Sequence, residues 1–254
     1  MNELQGSLEA RGVTKRFGEF RALEDVDLDV AAGEIHALIG PNGAGKTTFF
    51  GVVSGELRAT AGSVRFAGRE LGGMPAWRRT RLGMARAFQI ARVFPTFTVE
   101  ENVRCAVLAG RRRSWLIHLP ESRAGADPET REFLRETDLE RLAPNFAGEL
   151  SHGDRKRLEI AMALALRPSL LLLDEPTAGM SAFDSAATVR LIRDVWQRHS
   201  CSVLLTEHDM PVVFELAHRI TVLDHGRVLR IGAPQDIARD PAVREVYLGK
   251  DLES

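Results

Sequence analysis

Residues 40–48 read GPNGAGKTT and carry the pattern G-x-x-x-x-G-K-[ST]. The apolar run from Ile35 to Ile39 in front of them reads as a buried strand, and Lys46 to Ser54 behind them reads as the start of a helix. In that strand–loop–helix setting the loop forms a phosphate cradle. Gly40, Gly43 and Gly45 let the backbone curl so that its N–H groups converge on an anion, and Pro41, Asn42, Ala44 and Thr48 complete the loop. The helix N-terminus adds a partial positive charge. Lys46 is placed to reach the β- and γ-phosphates, and the Thr47 hydroxyl to ligate Mg²⁺. The loop therefore predicts binding of a nucleoside triphosphate.

Composition narrows the setting. The chain has 254 residues, long enough for a substantial core. With 34 Lys+Arg against 35 Asp+Glu its net charge is −1, which makes no global case for a nucleic-acid partner. The clusters Arg78–Arg81, Arg111–Arg113 and Arg155–Arg157 read as solvated faces or loops. Cys105 and Cys201 lie far apart, without metal-ligand spacing, and are expected to be reduced thiols. The first residues, MNELQGSLEARG, lack the apolar centre of a signal peptide. No stretch approaches the roughly 18 apolar residues of a membrane span. The chain is expected to be soluble, with any membrane role arising through a partner.

Along the chain, Leu23, Val26, Leu28 and Val30 suit a half-buried strand pair within residues 6–35, and Ser63 to Phe66 another short strand. From Pro75 to Leu166 the pattern is mostly helical, with helices expected at Trp77–Gly83, Val99–Leu108, Glu129–Leu142 and Gly153–Leu166. Thr98 and Glu101 form a capping box. Residues 109–128 read as an exposed loop. After Pro168, Leu170–Leu173 and Ser202–Thr206 suit buried parallel strands, and Ile220–Leu223 with Arg227–Ile231 a terminal hairpin.

Four more places carry chemistry. LLLLDEP, residues 170–176, delivers Asp174 to a strand tip, where it can hold Mg²⁺, and beside it Glu175, which can polarise an attacking water. Thr206-Glu207-His208 brings an imidazole to another strand tip on the same edge, where His208 can hydrogen-bond the γ-phosphate and hold the attacking water and Glu175 in line. LSHGD, residues 150–154, opens a helix with Ser151 as N-cap, and its hydroxyl with the Gly153 N–H forms an anion site. Gln89, taken alone, carries almost no signal.

Together these residues resemble the ATP-binding subunit of ABC transporters over nearly the whole chain. The resemblance implies an α/β P-loop NTPase core of RecA type, with an antiparallel β subdomain and an inserted helical subdomain. Residues 1–88 and 167–254 would form the core, and 89–166 the helical insertion, in a single ATPase domain spanning 1–254. GPNGAGKTT matches the Walker A motif, LLLLDEP the Walker B motif, Gln89 the Q-loop, Ser181-Ala182-Phe183-Asp184 the D-loop and His208 the switch histidine. Phe17 matches the aromatic residue that stacks on adenine. The resemblance gives Glu175, His208, Lys46 and Gln89 catalytic roles, and Thr47, Gln89 and Asp174 to Mg²⁺. The signature departs from LSGGQ: His152 replaces Gly and Asp154 replaces Gln, while Ser151 and Gly153, which contact the γ-phosphate, are retained. Asp154 can accept a ribose hydrogen bond but cannot donate one as Gln does.

The resemblance further implies ATP with Mg²⁺ and a head-to-tail dimer with a second ATPase subunit. It implies transmembrane permease subunits contacting Ile90–Thr98, an external solute-binding protein, no nucleic acid, and a place on the inner face of the cell membrane. The stretches Arg86–Gln89, Leu158–Ala161, Glu207–Met210 and Glu245–Gly249 are similar to ATPases of branched-chain amino acid importers. LSHG and Ala178-Gly179-Met180 also occur in the related urea and short-amide importers. Lipid or lipopolysaccharide exporters and soluble ABC ATPases share much of the motif set.

Overall fold

A computed structural model describes residues 6–87, 93–111 and 127–248. Gln89, Ile90 and most of the 109–128 stretch lie outside the described residues. The first strands, β1 (Leu8–Phe17) and β2 (Phe20–Val30), pair antiparallel from Leu8↔Val30 to Phe17↔Phe20. After β2 come β3 (Ile35–Ile39) and α1 (Lys46–Ser54). The chain then adds β4 (Ala61–Phe66) and β5 (Arg69–Glu70), giving a four-stranded antiparallel sheet of order β2-β1-β4-β5.

Next follow α2 (Ala76–Arg81), β6 (Met84–Ala87), α3 (Val99–Gly110), α4 (Pro128–Glu136) and α5 (His152–Ala165). The last part alternates β7 (Leu170–Asp174), α6 (Ala182–His199), β8 (Ser202–Thr206), α7 (Met210–Leu216), β9 (Arg219–Asp224) and β10 (Arg227–Gly232). Two short helices, α8 (Pro234–Arg239) and α9 (Pro241–Leu248), close it. The second sheet has order β10-β9-β3-β8-β7-β6, parallel except for the β9–β10 hairpin. Among the described residues no helix is long and apolar enough to cross a membrane.

The six-stranded sheet is covered on both faces, so its strands are continuously apolar rather than alternating. Side-chain alternation still sorts them into two cores. Ile35, Ala37, Ile39, Leu171, Leu173, Val203 and Leu205 face a core with α3, α5 and α6. Leu38, Leu170, Leu172 and Leu204 face the other, with Phe49 and Phe50 of α1 and the antiparallel sheet. The tips of β3, β7 and β8 therefore sit between two packed layers, and the candidate chemistry grows from those tips.

Three sequence expectations are corrected. The helix expected over Glu129–Leu142 stops at Glu136: Asp138 takes φ +55°, and Glu140–Leu142 is a separate 3₁₀ turn. The apolar spacing carried across the break because Phe133, Leu134 and Leu139 all point into one core. The region from Pro75 to Leu166 also contains a strand, β6, which pairs parallel with β7 from Met84↔Leu170 to Ala87↔Leu173. The hairpin at 219–232 is not terminal, since α8 and α9 follow it. The capping box at Thr98 forms in full, with Glu101 N–H donating to Thr98 Oγ1 at 3.2 Å and Thr98 N–H to Glu101 Oε2 at 2.7 Å.

Candidate active site

The phosphate loop is held from behind by backbone contacts that leave its front open. A Cβ on Gly40 would sit 2.2 Å from the Leu223 carbonyl oxygen, so only glycine lets the loop lie against the end of β9. Gly45, the N-cap of α1, takes φ +106°, a left-handed conformation that turns the chain into the helix, and a Cβ there would meet the Ala22 carbonyl at 2.7 Å. The β9–β10 turn closes the rear: Gly226 N–H donates to Ala44 O at 3.0 Å, and Glu24 N–H of β2 donates to Gly226 O at 2.8 Å. Ala44 is buried, whereas Asn42, Gly43 and Thr47 are exposed and Pro41 and Thr48 half-buried.

Helix α1 begins with no side-chain cap and no acidic residue in its first turn. Its first N–H groups have no intrahelical acceptors, and no carboxylate of its own first turn offsets the dipole. Lys46 is buried and donates through Nζ to Gly40 O at 2.7 Å and Pro41 O at 3.1 Å, folding its ammonium over the loop. A glycine-built cradle, an uncapped helix start and an ammonium fit a polyphosphate. The oxygen donors Thr47 and Asp174 are the hard ligands that Mg²⁺ takes.

Asp174 ends β7 in register with Thr206, the last residue of β8. The Thr206 hydroxyl links the next two positions: it donates to Asp174 Oδ1 at 2.8 Å and accepts from the Glu175 N–H at 3.0 Å. Glu175 is a non-glycine residue at φ +48°, a strained position held also by its N–H to Thr206 O at 3.1 Å. The turn aims its carboxylate at His208, whose Nε2 lies 2.6 Å from Glu175 Oε1. Glu207, fully buried, fastens the two loops together. Its Oε1 accepts from the Thr177 N–H at 2.8 Å and from the Thr177 hydroxyl at 2.7 Å, and its Oε2 accepts from the His208 N–H at 3.1 Å. Asp174, Glu175 and His208 are thus brought together on adjacent strand tips.

Thr206 and Glu207 escaped the sequence reading as working residues. Their available signal was position, between a core strand and the candidate histidine.

The LSHGD segment is built differently. Ser151 caps α5: its Oγ accepts from the Asp154 N–H at 3.1 Å and donates to Asp154 Oδ2 at 2.7 Å. Asp154 also faces Arg157 at 3.5 Å. His152 Nε2 lies 3.0 Å from the Ala178 carbonyl oxygen, and a Cβ on Gly153 would stand 3.3 Å from Asp184 Cγ. These contacts run within α5 and to the loop and helix start at Ala178–Asp184. Ser151 and His152 are exposed. Phe17 is 48% exposed at the tip of the β1–β2 hairpin, with Lys15 Nζ 4.8 Å from its ring centroid.

The two cysteines stand apart from this chemistry. Both are free, and burial raises both thiols, Cys201 to about 11, so neither is poised as a thiolate.

Comparison with known proteins gives a consistent picture. Residues 23–178 match the family described as ABC transporter, and residues 231–253 that described as branched-chain amino acid ATP-binding cassette transporter. The chain is 36% identical over 249 residues to the high-affinity branched-chain amino acid transport ATP-binding protein BraF of Pseudomonas aeruginosa, covering 96% of this chain and 98% of that one. It is 36% identical over 252 residues to LivG of Escherichia coli, which bears the same description, covering 97% and 99%. Among solved structures it is similar to a nucleotide-free ATP-binding cassette from an ABC transporter, with TM-score 0.83 and 27% identity over 94% of this chain and 98% of that one. A second, an ABC transporter cassette in its ADP conformation, aligns with TM-score 0.82 and 27% identity over 95% and 98%. A third, a dimeric cassette in a post-hydrolysis state bound to ADP and Pi, aligns with TM-score 0.76 and 26% identity over 89% and 98%.

Proposed function

Since the chain belongs to the ABC transporter family of ATP-hydrolysing subunits, we propose that it powers a membrane importer of branched-chain or other hydrophobic amino acids. The observation that carries the hydrolytic half is the 2.6 Å contact between Glu175 and His208, set beside an open phosphate loop. The substrate class is supported by the two relatives named for branched-chain amino acid transport and by the match over residues 231–253.

The backbone N–H groups of the phosphate loop, to which Pro41 contributes none, and the Lys46 ammonium bind the β- and γ-phosphates, and Phe17 stacks on adenine. Thr47 and Asp174, with Gln89, would hold Mg²⁺, which when bound would neutralise charge on the phosphate oxygens. Glu175 accepts a proton from the attacking water. His208 fixes the Glu175 carboxylate and faces the γ-phosphate. Because that carboxylate sits on a strained turn held by Thr206, its direction is set before substrate arrives.

The second half of the site comes from another copy or a paralogue, docked head to tail. Its Ser151 and Gly153 meet the γ-phosphate, and its Asp154 accepts from a ribose hydroxyl. Nucleotide held between the two halves draws them together, and hydrolysis releases them. The dimeric relative bound to ADP and Pi supports this arrangement.

The motion passes to permease subunits through the segment that follows Gln89. Its described part is firmly docked: the buried Asn102 accepts from the Phe94 N–H at 2.8 Å and donates to the Thr98 carbonyl at 2.8 Å. Phe94 and Phe146, both half exposed, sit on paired segments joined by the Thr98↔Phe146 bridge and offer an apolar surface to a membrane partner. The subunit then lies on the cytoplasmic face of the membrane, and a separate binding protein delivers the solute.

The deciding experiment reconstitutes the chain with the permease subunits that co-purify with it and the binding protein that docks on them. Leucine, isoleucine or valine should stimulate ATP hydrolysis; stimulation by urea or a lipid instead would replace the substrate class.

A further inference from the structure

Arg86 is the third residue of β6, paired in register with Leu172 on β7. Its side chain lies between α1 and the sheet, with the guanidinium carbon 5.8 Å from the centre of the Phe50 ring. Three acceptors, from β7, the end of α1 and the loop after it, converge on it. One guanidinium nitrogen donates to Asp174 Oδ2 at 2.8 Å, and the other donates to Glu56 Oε2 at 2.8 Å and Ser54 Oγ at 3.0 Å. The Arg86 and Asp174 side chains are only 9% and 5% exposed. Asp174 Oδ1 is engaged by Thr206, so Oδ2 is the oxygen that Arg86 governs.

A buried carboxylate needs a compensating cation or hydrogen-bond donors. Arg86 supplies a cation in a fork that fixes direction as well as charge. The same fork grips Ser54 and Glu56 at the far end of α1, the helix whose near end is the phosphate loop.

We propose that Arg86 is a positioning residue for Asp174: it holds that carboxylate in a fixed orientation, then yields Oδ2 to the Mg²⁺ that arrives with nucleotide while retaining Glu56. This rests on the reading of Asp174 as a metal-binding residue. A divalent ion and a guanidinium cannot both crowd one oxygen without mutual repulsion. Glu56 gives Arg86 an anion to keep, so it need not leave its pocket. Arg86 and Mg²⁺ are thus alternative counter-ions of one carboxylate, and losing one raises the protein's dependence on the other.

The test is thermal unfolding of the intact chain in ADP with EDTA and in ADP with MgCl₂. The proteins are the native one, Arg86→Met, Arg86→Lys and Asp174→Asn. Arg86→Met should melt roughly 5–10 °C below native in EDTA, the scale for stranding a buried charge, and Mg²⁺ should recover at least half of that deficit. Arg86→Lys keeps the charge but not the fork, and should show a smaller deficit that Mg²⁺ also narrows. If Arg86→Met is too unstable to purify, the lysine variant alone decides by the same criterion. A deficit that is equal with and without Mg²⁺ overturns the proposal and leaves Arg86 a packing residue. The reading of Asp174 is checked separately: native protein must gain stability from Mg²⁺, and Asp174→Asn must lose that gain. Failure there removes the metal assignment and the proposal with it, whereas an equal Arg86→Met deficit beside an intact Mg²⁺ gain overturns the proposal alone.

Discussion

The tips of β3, β7 and β8 and the start of α5 both carry residues expected to meet a triphosphate, yet they are finished to different degrees. At the tips of β7 and β8 the side chains of Asp174, Glu175 and His208 are each tied to a neighbour. Thr206 joins Asp174 to Glu175, Glu207 joins the two following loops, and Glu175 meets His208. At the start of α5, Ser151 bonds only to its own helix turn, and it stands exposed beside His152. The first region is preorganised for chemistry. The second is a capped helix end with an unspent surface. That division is what the proposed head-to-tail pairing, in which one chain completes the other's site, requires.

Changes in the two regions should therefore separate in isolated subunits. Lys46→Ala has the largest expected effect: nucleotide affinity of the single chain falls about 10- to 100-fold, the loss of a charge-assisted contact, and hydrolysis becomes undetectable. Calorimetric titration with ATP checks it, and unchanged affinity would break the phosphate-loop assignment. Glu175→Gln should bind ATP normally but hydrolyse it at least about a hundredfold more slowly, and should accumulate as a dimer with ATP on size-exclusion chromatography. Near-native turnover would remove Glu175 as the base. Ser151→Ala should leave ATP affinity of the isolated chain unchanged and slow turnover roughly ten- to a hundredfold; it also loses a helix cap worth about 1 kcal/mol. A loss of affinity in the isolated chain would erase the contrast between the regions. Thr206→Val has the smallest effect, a three- to tenfold fall in kcat (order of magnitude, about 1 kcal/mol for one hydrogen bond) with KM held.

The contrast also explains what the sequence disclosed. The phosphate loop, β7 and β8 were legible because buried parallel strands are short apolar runs, and because glycine and lysine at fixed offsets have few other uses. Strand β6 was not, since Arg86 interrupts its apolar pattern. That arginine is buried only because Asp174 and Glu56, distant in sequence, neutralise it. The end of α4 was masked because Leu139 and Leu142 keep helical spacing beyond the left-handed Asp138. The closing helices did leave signals: Pro234 and Pro241 at first helical positions, and Asp240, whose carboxylate accepts from the Ala242 and Val243 N–H groups. The Glu175–His208 contact was expected from two strand tips. The Thr206 and Glu207 braces that aim it depend on side-chain register, which no spacing reveals.

The central claim is that one chain's phosphate loop works with another chain's LSHGD segment. Mixing Lys46→Ala and Ser151→Ala chains tests it most directly by single-turnover ATP hydrolysis. Each variant alone has every site damaged. A head-to-tail mixed dimer places both lesions in one site and leaves the other intact, so the mixture should hydrolyse ATP faster than the average of the two separate proteins. A mixture no faster than that average would mean that each chain completes its own site, and would contradict the account.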